Sequence, residues 1–259
     1  MAYTAVAGSP AASAGSPRLL AFQRALVWLV GASGAIVFIE PSPYEIMTLG
    51  AAALFCATGV RMRLALVPLL LLLALINIGY SIGAIPFYDK PEVVSWIATS
   101  WYMAATVMFF AMVMSEDTLA RLEMLRGGLI VGAMIASIAA IAGYLNLVPA
   151  GHDLLTLYGR ARGTFKDPNV IGAFLILPAL FSLQSVVADR FAKALRNAVT
   201  FVIMALAILF AFSRAAWGGL AVTAAFMLAT MVLTSRSQAQ RSRIIVISIA
   251  AVVLLVLLI

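Results

Sequence analysis

One cysteine and one histidine are all that this 259-residue sequence contains of either residue. With Cys56 alone there is no internal disulfide and no cysteine metal cluster. His152 alone leaves too few soft ligands for a zinc site. Charge is scarce as well, at 10% of residues. No pair of carboxylates falls inside an apolar run, which counts against a proton-coupled pump. The first residues, MAYTAVAGSPAASAGSPR, have no basic stretch ahead of an apolar one. They read as a disordered tail over 1–17 rather than a cleaved signal peptide. No soluble domain and no short repeat interrupts the rest.

Apolar residues fill the space, at 64% with a mean hydropathy of +1.09. Soluble domains stay near half apolar, so a soluble core is excluded. Runs of about 20 apolar residues mark membrane-crossing helices. Dividing the chain at charges and Pro/Gly clusters predicts nine: 19–39, 46–60, 64–85, 93–114, 127–147, 170–187, 197–212, 215–234 and 244–259. The second and seventh are short for a span. The fold class expected is all-α, a polytopic helix bundle over 18–259. The closing run IIVISIAAVVLLVLLI has no polar flank, from which we expect the front part of a longer protein.

The pI near 10 raises the question of nucleic acid, which requires a basic face on a readable element. Here the cations occupy short connections, as membrane topology alone produces, and no nucleic-acid partner is expected. The excess of cations on cytoplasmic loops orients such a chain. With the N-terminus cytoplasmic, the inner set is Arg18, Arg24, Arg61, Arg63, Arg121, Arg126, Arg190, Lys193, Arg196, Arg236, Arg241 and Arg243. The outer set is Lys90, Arg160, Arg162, Lys166 and Arg214. All but Lys90 of that outer set flank the sixth and seventh runs, where orientation does not explain them.

The stretch GRARGTFKDPN, Gly159 to Asn169, holds three of these cations. Arg160 and Arg162 offer planar forks of donors that suit phosphate oxygens. Gly159 and Gly163 permit left-handed turns or a close backbone approach. Asp167-Pro168-Asn169 supplies helix-opening residues, Asp or Asn as N-cap and Pro in the first turn. The helix that follows then turns its positive end to the same surface. Together these make an anion site, with a diphosphate as the natural ligand. The plainer reading pairs the arginines with Asp153, Asp167 or lipid headgroups. AFSRAAWGGLAV places Arg214 between two apolar runs, either at membrane depth, where arginine is costly and marks function, or at an outer turn. Glu40 and Glu45 flank a Pro-Ser-Pro turn and read as solvated, or as carboxylates that orient an arginine. Asn77, inside the third run, reads as a hydrogen bond between helices.

R-x-x-G-T-F-x-D-P-N from Arg160 to Asn169, followed by F-S-R-A-A-W from Phe212, resembles the O-antigen ligase / O-antigen polymerase superfamily. FIEPSPYEIMTLG, Phe38 to Gly50, is similar to the first outer turn of its alphaproteobacterial members. The resemblance implies a GT-C-like bundle in a bacterial inner membrane. It also implies an inverting, metal-independent transfer of an oligosaccharide from undecaprenyl diphosphate to a lipid or glycan acceptor at the periplasmic face. Arg160 and Arg214 would be the catalytic arginines facing the diphosphate. Arg162, Gly163, Lys166, Asn169 and Ser213 would bind substrate around them, with Asn169 capping the sixth span, and no cofactor is implied. The family's histidine belongs to a large periplasmic loop after the spans present here, and His152, in an earlier connection, does not match it. The alternative reading is a permease or translocator of lipid-linked sugars with an outer anion site.

Overall fold

The computed structural model describes residues 16–39, 41–148, 151–188, 191–235, 237–238 and 241–249. The expected tail up to residue 15, Glu40 and the end of the ninth run from 250 lie outside them.

Nearly everything described is helix. The order is α1 (Pro17–Ser33), α2 (Pro43–Thr58), α3 (Val67–Ala84), α4 (Pro91–Met114), α5 (Thr118–Tyr144), α6 (His152–Leu155), a two-stranded hairpin of β1 (Thr156–Leu157) and β2 (Arg160–Ala161), α7 (Pro168–Ala188), α8 (Phe191–Phe210) and α9 (Arg214–Thr234). Six segments among the described residues are long and apolar enough to cross a membrane: Leu64–Phe87, Pro91–Met114, Thr118–Tyr144, Pro168–Ala188, Phe191–Phe210 and Arg214–Thr234. The first expected run stops early, at Ser33, and α2 has only 16 residues. Both fall short of the roughly 20 that the hydrocarbon core asks for. The seventh run begins earlier than expected because α8 takes in Lys193 and Arg196.

The helix starts follow from local chemistry. Proline opens α2, α4 and α7, where its missing N–H costs nothing. At α2, the Glu45 carboxylate accepts the Ser42 backbone N–H at 2.7 Å, which is half of a capping box. Glu45 is therefore spent on its own helix. At the other end of α5, Asn146 takes φ 53°. The Leu147 and Asn146 N–H groups then return to the Ala142 and Gly143 carbonyls at 2.9 and 3.1 Å, a Schellman closure.

The chain divides into two compact units, one of Met1–Val27 with Ala51–Met124 and the other of Trp28–Gly50 with Leu125–Ile259. In the first unit, α3 and α4 form an antiparallel pair held by side chains that find each other across an apolar interface. Ser100 donates to the Asn77 Oδ1 at 2.8 Å, and the Trp101 indole N–H donates to Ser81 Oγ at 3.0 Å. The Asn77 reading is confirmed. Arg121 is buried in this unit, donating to the Val113 carbonyl and to Gln23 Oε1 and lying over the Phe55 ring. Arg24 and Asp117 make an exposed ion pair at 2.6 Å.

The second unit is built on small residues. Its core includes Ala35, Ala133, Ala136, Ala140, Ala179, Ala207 and Ala211, with Phe165, Ile171, Leu175, Met204 and Ile208 filling between them. Helices packed in lipid gain from close backbone approach rather than from expelling water, so small residues line their contacts. Gly128 and Gly132, spaced as GxxxG, let α5 cross α1 so closely that an added Cβ would lie 2.0 Å from the Trp28 carbonyl oxygen and 2.5 Å from that of Ala32. The central helix is α7, half buried, whereas α9 has only 6% of its apolar window covered. A bare apolar surface of that extent belongs in lipid.

Candidate anion site

The connection from α5 to α7 folds onto the second unit through contacts that no local pattern announces. Tyr158 and Gly159, at φ 55° and 70°, form a two-residue turn between Leu157 and its register partner Arg160. Two positive φ values in a two-residue hairpin loop define a type I′ turn, whose twist suits paired strands. Gly163, at φ 53°, presses on α5: an added Cβ would lie 2.7 Å from the Ala136 carbonyl oxygen. Thr164 donates its hydroxyl to the Ala35 carbonyl, and its own carbonyl accepts the Val37 N–H at 2.9 Å. Phe165, fully buried, packs against Phe174 of α7.

This anchoring positions the predicted site residues of the connection, Arg160 and Arg162 among them. Arg160 donates from Nε to the Ala211 carbonyl at 2.8 Å and from Nη2 to Asn169 Oδ1 at 2.8 Å. Its Nη1 has no partner among the described residues. Arg162 is tied into its own loop, with Nε and Nη2 on the carbonyls of Leu154 and Asp153 at 3.0 and 3.1 Å and Nη1 3.5 Å from that of Lys166. Among the described residues neither arginine pairs with the carboxylate of Asp153 or Asp167. Arg214 is the first residue of α9, exposed, and makes no hydrogen bond or ion pair among the described residues. It stands at a helix start, at the turn between α8 and α9 rather than in the interior of either helix.

The capping of α7 differs from expectation. Asp167 is the N-cap: its carboxylate accepts the Asn169 backbone N–H at 2.7 Å, and its carbonyl starts the helix by accepting from Val170 and Ile171. Asn169 lies two residues inside the helix, too late to cap, and its side-chain oxygen instead positions Arg160. Ser213 caps α9, its buried hydroxyl oxygen accepting the Ala216 N–H at 3.4 Å. Lys166 is half-buried between Phe165 and the cap.

The two helix starts meet. An added Cβ on Gly172 would lie 2.8 Å from the Ala216 Cβ and 3.5 Å from that of Ser213, so the first turns of α7 and α9 touch. Each brings a positive dipole end, but the first-turn N–H groups of α7 are spent on Asp167, so only the start of α9 offers open ones. The far half of α7 is held by a different pair of cations. Arg126 donates to the Phe181 carbonyl at 2.8 Å and to Ser185 Oγ, and Arg243 donates to the Val186 carbonyl at 2.8 Å. Two of the cations assigned to the inner face thus serve the carbonyl end of α7, about 30 Å of helix from start to end, while Arg160 serves its amide end.

No family model matches the chain, and no curated protein or solved structure matches it either. The arrangement therefore stands on its own geometry. Arg160, Arg162, Lys166 and Arg214 outnumber Asp153 and Asp167 along this connection and the α9 start, and two helix dipoles add to the same sign. Such an excess of positive charge is of the kind that suits an anion. Among the described residues no three His, Cys, Asp or Glu side chains stand together in a way that could hold a metal ion. His152 donates its Nδ1–H to the Gly143 carbonyl at 2.9 Å, reinforcing the end of α5. Sequence reading missed the Ala211 and Asn169 acceptors of Arg160. It also missed the hairpin, for which Gly159 after Tyr158 was the available signal.

Proposed function

We propose that this chain binds a lipid-linked diphosphate at the meeting of α7 and α9, and acts as a membrane glycan transferase of the O-antigen ligase or polymerase type. The observation that carries the reading is Arg214. It is a cation without a partner among the described residues, on the first residue of a helix and three residues after the carbonyl that Arg160 grips. Such a cation keeps its donors for a ligand, and the start of α9 adds the N–H groups of its first two residues, which Ser213 does not accept. Along the same two helices, Leu177, Leu180, Phe181, Val222, Phe226 and Met227 border an apolar groove of about 490 Å³. It begins about 12 Å along the helices from their starts, the depth at which an isoprenoid tail would run.

In the transfer, the acceptor hydroxyl oxygen would attack the anomeric carbon from the face opposite the diphosphate. The bond from that carbon to the diphosphate oxygen breaks, its electron pair stays on the diphosphate, and the anomeric configuration inverts. Arg214 and the free Nη1 of Arg160 would neutralise the charge that develops there, an electrostatic role suited to donors fixed in advance. The hydroxyl proton would leave to a base, which the resemblance assigns to a histidine in the periplasmic loop after the spans present here, not to a residue of this sequence. On this reading the partners are undecaprenyl-diphosphate-linked glycan and a lipid or glycan acceptor. The location is a bacterial inner membrane with the N-terminus cytoplasmic and the site on the periplasmic side.

The test is binding of undecaprenyl diphosphate to the protein in nanodiscs. Arg214→Ala is expected to weaken it about ten- to a hundredfold, the worth of one charge-assisted contact of 1.5–3 kcal/mol, without lowering thermal stability. Equal affinity in the variant and the wild type would remove the basis of the proposal. Binding without release of labelled glycan to any acceptor, but with its movement across the bilayer, would favour a translocator.

A further inference from the structure

Two aromatic residues of the second unit hold a left-handed backbone, Tyr158 at φ 55° and Phe212 at φ 47°. Bulky side chains avoid that region because Cβ crowds the following carbonyl oxygen. Each stands two residues ahead of an arginine of the anion site, Arg160 and Arg214. Tyr158, 91% exposed, does not regain the cost through burial, and Phe212, 45% exposed, regains only part of it. Tyr158 fills the first position of a type I′ turn, where Asn, Asp or Gly is preferred. It makes no hydrogen bond or ring contact among the described residues. Phe212 leans on Tyr144 and Trp217, with ring centroids 5.8 and 6.2 Å away, and so presents a supported aromatic surface. The turns need a left-handed residue but not a bulky one, and such strained choices concentrate where function does.

The bond from Arg160 to the Ala211 carbonyl ties the hairpin to the α8–α9 turn, so both aromatics belong to one end of the unit, beside the cations. A membrane-interface anchor needs only an aromatic at headgroup depth, and an ordinary backbone serves it equally well. A ligand fixed by its phosphates needs rings at set places. A pyranose has one face of C–H groups, and the electron-rich face of an aromatic ring attracts them. We propose that Tyr158 and Phe212 form an aromatic rim that receives the first sugar on the diphosphate, so that the site prefers a lipid-linked glycosyl diphosphate to the bare lipid diphosphate. This rests on the diphosphate reading above.

The experiment compares two probes on the full chain in phosphatidylcholine nanodiscs: undecaprenyl diphosphate, and the same lipid carrying one N-acetylglucosamine. The wild type is expected to bind the sugar-bearing probe about three- to tenfold more tightly, as one or two ring contacts supply. Tyr158→Asn places a residue suited to the left-handed turn, so it keeps or raises thermal stability. It is expected to remove most of the preference while leaving affinity for the bare diphosphate unchanged, and Tyr158→Phe retains the preference. A wild type without preference, or a preference that survives Tyr158→Asn, overturns the rim while the anion site stands. Equal weakening of both probes by Tyr158→Asn also overturns it, in favour of an interfacial anchor. If bare undecaprenyl diphosphate does not bind the wild type, the anion site itself falls and the rim with it.

Discussion

Gly159 and Gly163 allow the packing of the arginine-bearing loop to be measured apart from its backbone strain. Both have positive φ, 70° and 53°, so alanine at either pays the left-handed cost, about 1–2 kcal/mol. They differ in what surrounds them. A Cβ on Gly159 meets nothing within 4 Å, whereas one on Gly163 would lie 2.7 Å from the Ala136 carbonyl oxygen, 3.0 Å from Ile171 Cδ1 and 3.1 Å from the Ala140 Cβ. The first of these is backbone of a central helix and cannot rotate away. Overpacking of this kind adds about 1–3 kcal/mol. Gly163→Ala is therefore expected to lose about 2–5 kcal/mol and Gly159→Ala only about 1–2, read as thermal or denaturant unfolding in one detergent. The larger loss carries a functional mark, because moving the loop off α5 displaces Arg160 and weakens diphosphate binding, while Gly159→Ala leaves binding near wild type. Equal destabilisation by the two substitutions would refute the close packing of this loop on α5.

Arg162→Ala and Arg214→Ala should separate support from ligand binding. The first strips the Leu154 and Asp153 carbonyls of their donor and is expected to cost about 1–3 kcal/mol of stability, whereas the second costs none and shows its effect in diphosphate affinity. In the α3–α4 pair, a double-mutant cycle of Asn77→Ala and Ser100→Ala is expected to return a coupling near 0.6 kcal/mol and no more than about 1.7 kcal/mol; zero coupling would mean that the hydrogen bond at 2.8 Å does not persist in lipid. Gly172→Val should separate the starts of α7 and α9, lowering both thermal stability and diphosphate affinity; a variant that keeps wild-type affinity would show that the two helix ends act independently.

Much of the helical framework was legible because hydropathy and helix-opening residues are local signals. Pro168 marks a real start as read, whereas Pro43 and Pro91 open their helices a few residues ahead of the expected runs, and the polar Asn77 found its partner across the helix pair. The ends were less legible where a long-range contact decides them. The first apolar run continues to residue 39 in the sequence, yet α1 stops at Ser33, since Ala35 and Val37 spend their backbone groups on Thr164, more than a hundred residues away. At the site, residue types and spacing brought out the right cations but not their division of labour. Nothing in R-x-R says that Arg162 serves its own loop while Arg160 reaches another helix. Asp167 and Asn169 are equally good caps on paper, and the geometry of Pro168 between them settles which one acts, since the residue ahead of a first-turn proline is the one placed to cap.

The bond from Arg160 to the Ala211 carbonyl has a thermodynamic meaning beyond geometry. Ala211 lies three residues before Arg214, so the two cations share one short length of backbone. A ligand that draws the Arg160 fork toward itself must also loosen the turn that holds Arg214. Their contributions to binding are then not separate quantities. Arg160→Ala and Arg214→Ala together should cost less or more than the two losses added, by roughly 0.5–3 kcal/mol, as coupled neighbours do. The anion site would behave as one two-armed receptor rather than as two charges that happen to face the same ligand.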